Sequence, residues 1–197
     1  MHIPFSTLFP LLALPLPALS TALPPRQLLP TGQTVKQDVL NIHHAVLALD
    51  STIQSFQGSP LPTSLIEGTP VLLGVAEIHK VNRVGFFHAI TALPFNKVDS
   101  EDVIDAVVDT VNVSIPASIE HLKAKAPAFR EGGLTVTVVA SLKLLLYDHD
   151  TFSAATLAKF DPGVAPAKAA EGNEAVAKIH DAIAGGIAFF EADLVAR

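Results

Sequence analysis

The chain has 197 residues, with 13 Lys and Arg against 19 Asp and Glu for a formal net charge of -6, half of its residues hydrophobic, and no cysteine. The missing cysteines exclude disulfide-framed toxins, hydrophobin-like films and zinc-thiolate modules, so the fold rests on its apolar core alone. No basic patch is present, which argues against nucleic acid and against electrostatic docking on anionic membranes.

Met1 to Ala22 carry no Lys, Arg, Asp or Glu. Their apolar run around Leu11-Leu12-Ala13-Leu14 is followed by Ser20-Thr21-Ala22, which reads as a signal peptide cleaved after Ala22, or alternatively after Ser20. Pro10, Pro15 and Pro17 interrupt the run, and it is shorter than the ~20 apolar residues of a membrane span. Cleavage leaves about 175 residues, enough for one domain that buries about 70% of its unfolded surface. The C-terminal Phe189 to Arg197 shows no hydrophobic anchor tail. The expectation is therefore a secreted, extracellular product. Residues 23–31, with Pro24, Pro25 and Pro30, read as a Pro-rich leader, and residues 32–197 as the folded domain.

Val35, Val39, Ile42, Val46, Leu49, Ile53 and Phe56 alternate spacings of four and three, which predicts an amphipathic helix ended by Gly58, Pro60 and Pro62. A second helix is predicted from Thr69, with Pro70 in its first turn, to Pro94. Its residues from Val71 to Ile90 are apolar on nearly the whole circumference, which predicts an interior position. Gly74 and Gly85 either permit close helix approach or weaken this helix. Asp99-Ser100-Glu101-Asp102 reads as the start of a third helix, with Ile104, Val107, Val108, Val111, Ile115, Ile119 and Leu122 on its stripe and a kink or division at Pro116. After Gly132-Gly133, the run Thr135 to Val139 has strand-like propensity. Leu142, Leu145, Leu146, His149, Phe152 and Leu157 restore helical spacing, so the segment is read as helix. Val176, Ile179, Ile183, Ile187, Phe190 and Leu194 mark the last helix. The predicted fold is all-α: a single-domain antiparallel bundle of about five helices, the third kinked at a proline.

Chemical motifs are nearly absent. There is no nucleophile elbow, phosphate-binding glycine loop or zinc-protease helix, so no catalytic residue, metal or cofactor is nominated. Adjacent residues on a helix point in different directions, so Asp148-His149-Asp150 is not expected to converge on one ion. His43, His44, His79, His88, His121 and His180 have no partner at chelating spacing and read as scattered surface and boundary histidines. Asn112-Val113-Ser114 is a glycosylation sequon, at the edge of the third helix's stripe.

The pattern resembles the fungal hydrophobic surface binding protein A family, also called cell-wall galactomannoproteins. The similarity runs from about Val35 to Phe190 and is carried by Val39-Leu40-Asn41-Ile42 with Leu49-Asp50 and Ile53. It continues in the third helix with Pro116, in Lys123-Ala124-Lys125-Ala126-Pro127-Ala128-Phe129 with Gly133-Leu134, and in Ile179-His180-Asp181-Ala182-Ile183. The resemblance implies a helical bundle that binds fatty acids or related lipids in an interior apolar space, or that adsorbs to hydrophobic solid surfaces, where it would aid adhesion or enzyme recruitment; with no catalytic constellation in the chain, no enzymatic activity is expected. It also implies a place in the fungal cell wall or medium. The residues expected to line such a space are Val46, Leu49, Ile53, Val75, Ile78, Phe86, Leu142, Leu145, Ile183 and Ile187, although the same side chains would equally fill a dry core. No anchor for a lipid head is legible.

Overall fold

The computed structural model describes residues 29–60 and 63–195. The predicted signal peptide and all of the leader up to residue 28 lie outside the described residues. Helix α1 is Gly32–Ser55, α2 Thr63–Thr91, α3 Lys97–Ala106, α4 Asn112–Ala124, α5 Ala126–Glu131, α6 Thr135–Leu157 and α7 Pro166–Val195. A single π-helical turn, Val107–Val111, joins α3 to α4 in one continuous rod. No strand occurs among the described residues.

Helix α1 forms as its periodicity requires. Thr31 and Thr34 make a reciprocal capping box at its start, and all seven stripe residues from Val35 to Phe56 are buried. Helix α2 begins at Thr63 instead of Thr69, so Pro70 lies inside it. A proline there forgoes one backbone bond, to the carbonyl four residues back, and the packing of α2 against its neighbours offsets that loss. Helix α3 begins at Lys97, before the predicted acidic start, because Asn96 acts as the cap and its Oδ1 accepts the Asp99 amide at 2.8 Å. Ser100 is instead buried inside the first turn, where its hydroxyl donates to the Asn96 carbonyl and accepts from the Asp161 amide. The irregularity expected at Pro116 sits one turn upstream, in the π turn. Pro116 cannot donate to Asn112 and its ring crowds that carbonyl, and a widened turn accommodates both. The strand-prone Thr135–Val139 run enters α6, preceded by Gly133 in the left-handed region at φ 69°.

Successive long helices alternate in direction. Their packing order, however, is a ring in which α1 touches α2, α2 touches α6, α6 touches α7, and α7 and α1 both touch the α3–α4 rod. Register pairs give the directions. Asp38 with His88 and Leu49 beside Gly74 make α1/α2 antiparallel, as Lys143 with Glu191 and Asp150 with His180 make α6/α7. Gly68 beside Leu134 and His79 with Asp148 make α2/α6 parallel, His43 with Ser114 and Asp50 with His121 make α1/α4 parallel, and Ile104 beside Gly172 and Ile119 beside Gly186 make the rod parallel to α7. A five-membered ring has no central helix, and this corrects the expectation for α2. Val71 and Ile78 are buried, but Leu65, Ile66, Leu72, Leu73, Val84, Phe87 and Ile90 face outward, Ile66 with 76% and Phe87 with 60% of its surface exposed. Gly74 and Gly85 serve close approach: a Cβ on Gly74 would stand 2.8 Å from Leu49 Cδ1, and one on Gly85 3.1 Å from Asp38 Cβ and the Phe152 ring. Phe56 stacked on Phe129 at 4.6 Å closes one end of the ring, and Phe95 with Phe160 closes the other.

Candidate functional site

The core of the ring is not filled. An apolar cavity of about 130 Å³ runs along the axis. Such a volume approaches that of engineered apolar cavities that stay dry and take up benzene. It is bounded on α1 from Val39 to Ile53, a length of about 21 Å at 1.5 Å per residue. A second cavity of about 50 Å³ lies beside it toward the Phe129 end. Leu49, Ile53, Leu122, Leu142 and Leu145 line both, so these side chains stand where the two spaces meet.

Of the residues expected from sequence, Val46, Leu49, Ile53, Ile78, Leu142, Leu145 and Ile183 stand on the larger cavity, and Val75 stands on the smaller. Phe86 and Ile187 line neither. Phe86 is half-buried with the Arg83 guanidinium 4.1 Å above its ring, and Ile187 packs into the core. Sequence reasoning missed the contribution of the α3–α4 rod, whose Val103, Ile104, Val107, Val111, Ile115, Ile119 and Leu122 form one wall. The signal was available as the helical spacing from Ile104 to Leu122. The π turn places Val107 and Val111 on that wall, in keeping with the frequent use of such turns at functional sites.

The cavity contains a polar section that was also missed. Asn82 on α2, Ser118 on α4 and His149, Ser153 and Thr156 on α6 reach its lining. No Lys, Arg, Asp or Glu does. His149 Nε2 lies 3.1 Å from the Val176 carbonyl and Nδ1 3.5 Å from Ser153 Oγ. A carbonyl only accepts, so Nε2 carries a hydrogen. Burial lowers the pKa of this imidazole below the ordinary histidine value, more than the Val176 bond raises it. The neutral ring therefore presents Nδ1 as an acceptor. Thr156 is 93% buried, and its hydroxyl has no hydrogen-bond partner.

Several other titratable groups, none of them on the cavity lining, clamp neighbouring helices together. Asp148 and Asp150 diverge from His149. Asp148, fully buried, receives His79 at 2.6 Å and Arg83 at 3.6 Å, while Asp150 meets His180 at 2.8 Å and raises its pKa through that bond. Asp38 with His88 and Asp50 with His121 make two more clamps. Burial raises the pKa of Asp38, opposed by its bond to His88. Four of the scattered histidines are thus paired with an aspartate across helix seams, which linear spacing does not reveal. No group of three metal-ligating side chains occurs among the described residues. No described helix is long and apolar enough to cross a membrane. In the sequon, Ser114 is buried, 3.0 Å from His43 Nδ1, at the junction of the π turn and α4.

A family model described as hydrophobic surface binding protein A matches residues 32–158. No curated protein gives a significant match. Among solved structures, the protein Afmp4p in complex with palmitic acid superposes with a TM-score of 0.72 at 18% identity, covering 81% of this chain and 99% of that one. Ligand binding domain 1 of the Penicillium marneffei MP1 protein, complexed with arachidonic acids, gives a TM-score of 0.70 at 21% identity over 81% of this chain and 98% of that one. Ligand binding domain 2 of the same protein, complexed with multiple arachidonic acids, gives 0.68 at 17% identity, over 79% and 92%. At these identities the likeness establishes a shared helical fold.

Proposed function

The chain belongs to the hydrophobic surface binding protein A family, and from that membership we propose that it is a secreted, non-enzymatic fungal protein that holds fatty acids or similar single-chain lipids inside its helical ring. The observation that carries this reading is the unfilled axial cavity with no charged side chain on its lining. Sequestering an acyl chain there gives about 0.8 kcal/mol per buried CH2, before the cost of ordering the chain and of parting the helices. The space open in this conformation is of benzene size, so a long acyl chain enters by displacing Leu49, Leu142 and Leu145, which stand where the two cavities meet. Fold-sharing proteins crystallised with palmitic and arachidonic acids support the ligand class. Export follows from the sequence of Met1 to Ala22, and Asn112 is the proposed glycan acceptor.

The test is to extract the purified protein with organic solvent, identify any co-purified lipid, and titrate the delipidated protein with palmitic acid in native mass spectrometry. A saturable complex of one or a few ligands is expected. An empty extract with no complex on titration refutes the carrier reading. A second reading, adsorption to hydrophobic surfaces in the medium or cell wall, is favoured by the outer face of α2. Its Leu65, Ile66, Leu72, Leu73, Val84, Phe87 and Ile90 fall within about a third of the circumference and expose two apolar patches, separated by the Glu77–Lys80 ion pair. Multilayer adsorption with loss of tertiary signals distinguishes this behaviour from a stoichiometric complex.

A further inference from the structure

Helix α6 lays one stripe along both cavities, and the chemistry of that stripe changes along its length. Val138, Leu142 and Leu145 are followed, at the same helical spacing, by His149, Ser153 and Thr156. A polar stripe facing an apolar cavity costs free energy unless it is partnered, and here it is only partly partnered. His149 Nε2 is used by Val176, but Nδ1 has only the long contact to Ser153, and Thr156 Oγ1 has none. Asn82, opposite on α2, spends its amide nitrogen on the Ile78 carbonyl, 3.2 Å away.

We propose that His149, Ser153 and Thr156 form a head-group station that holds the uncharged carboxyl group of a single-chain carboxylic acid, with the tail laid toward Leu142, Leu145 and the second cavity. The inference rests on the lipid-carrier reading above and adds where the head sits and in which state it binds. The protonated acid is chosen by the donor and acceptor set. Its O–H donates to His149 Nδ1, and its carbonyl oxygen accepts from the hydroxyls of Ser153 and Thr156. An ionised carboxylate would be buried without a cation on the cavity wall, a far costlier arrangement. The run from Ser153 to Val138 along α6 is about 22 Å at 1.5 Å per residue, longer than the ~15 Å that one leaflet fills in a bilayer core of ~30 Å.

The titratable groups nearest His149 are Asp150 on its own helix and His180 on α7, which are bonded to each other outside the cavity. From α2, His79 and Arg83 are engaged by Asp148 in the α2/α6 seam. From the α3–α4 rod the cavity receives only the uncharged Ser118 as a polar side chain, and from α1 only apolar ones. Proton uptake on binding is therefore assigned to the carboxyl group of the ligand, with His149 remaining neutral as the acceptor.

The test uses the full-length secreted protein, delipidated, with palmitic acid, hexadecanol, methyl palmitate and hexadecane as probes in native mass spectrometry and calorimetry. At pH 5, palmitic acid and hexadecanol, which carry an O–H, are expected to bind about three- to tenfold more tightly than methyl palmitate, the value of one net hydrogen bond. The ratio of acid to alcohol affinity is expected to fall at least tenfold from pH 5 to pH 8. Thr156→Val keeps the shape of the side chain and removes its hydroxyl. It should lower palmitic acid affinity about three- to tenfold, leave hexadecane affinity unchanged and raise the Tm of the empty protein. Ser153→Ala and His149→Phe should lower acid affinity with the same selectivity. Equal losses for acid and hexadecane, or no loss for acid in any of the three variants, overturn the head station. A ratio flat or rising with pH overturns the uncharged head. Failure of all four probes to bind the unaltered protein refutes the carrier reading itself.

Discussion

Substitution of Val46 by Phe separates a functional void from an ordinary core most sharply. Val46 is buried in the middle of α1 and faces the larger cavity. At about 24 cal/mol per Å³, a void of 130 Å³ carries a penalty of about 3 kcal/mol. Phenylalanine adds four carbons at that point, worth up to ~3 kcal/mol at 0.8 per buried carbon, against ~1–3 kcal/mol of rotamer and backbone strain. The expected net is a gain of about 1 kcal/mol, or roughly 2–4 °C in Tm for a domain of this size. The same ring then occupies the path of the tail, so palmitic acid affinity should fall at least tenfold. Thermal denaturation of delipidated protein by circular dichroism, followed by calorimetric titration, reads both quantities. In a filled core the same change would only overpack, lowering stability by ~1–3 kcal/mol. A loss of stability with ligand affinity intact would refute the argument from the cavity.

Leu49→Trp should act on the junction between the two cavities, with long-chain acids losing affinity by tenfold or more and octanoic acid by less; equal loss at all chain lengths in a titration series counts against a tail that crosses this junction. Asp148→Ala removes the fully buried carboxylate that holds His79 and Arg83, and urea unfolding should show a loss of roughly 2–4 kcal/mol; a change below 0.5 kcal/mol would show the clamp to be idle. The pH dependence of stability should have two limbs of opposite sign. His180, raised by Asp150, contributes below about pH 6.5, and its contribution is lost as pH rises through its folded pKa. His149, lowered by burial, contributes above about pH 6.5, and that contribution is lost as pH falls through its folded pKa. Denaturant midpoints measured from pH 4 to 9 should therefore lose the acid limb in His149→Phe and flatten on the alkaline side in His180→Gln; the reverse assignment would contradict the two environments.

The amphipathic stripes were legible because they are local. Val35 to Phe56 and Val176 to Leu194 report a period that holds whatever their neighbours are. The position of α2 was not legible, because a helix apolar on every side is equally compatible with a central place and with an outer face left bare. The choice between these depends on the ring closing through α6, α7 and the α3–α4 rod. The histidine clamps were hidden for a related reason: Asp38 and His88 are 50 residues apart and meet only through the register of α1 against α2. The polar stretch of α6 was within reach. Helical spacing places His149 on the stripe of Leu142 and Leu145, and Ser153 and Thr156 continue it at the same spacing, but a pattern read from apolar residues alone skips hydroxyls on the same face.

A ring of five helices without disulfides must resist collapse onto its own void, and the distribution of polar contacts shows how it does so. Every seam is bridged at its outer rim: α1/α2 by Asp38–His88, α2/α6 by Asp148–His79, α6/α7 by Asp150–His180 and Lys143–Glu191, α7 to the rod by Lys168–Asp105, and the rod to α1 by Asp50–His121 and Lys36–Asp102. The exposed pairs among these, such as Asp150–His180 and Lys143–Glu191, contribute little to stability individually, whereas the buried carboxylates of Asp148 and Asp38 are costly to leave unpaired. Their geometry nevertheless fixes the register and spacing of the helices, so the interior side chains are not free to close the axis. The apolar side chains that line both cavities, Leu49, Ile53, Leu142 and Leu145, pack without directional bonds, and such packing is replaced at low cost by contacts to an acyl chain. Charged clamps outside and exchangeable apolar contacts inside let the ring keep its register while its contents change, which is what a carrier of tails of different length requires.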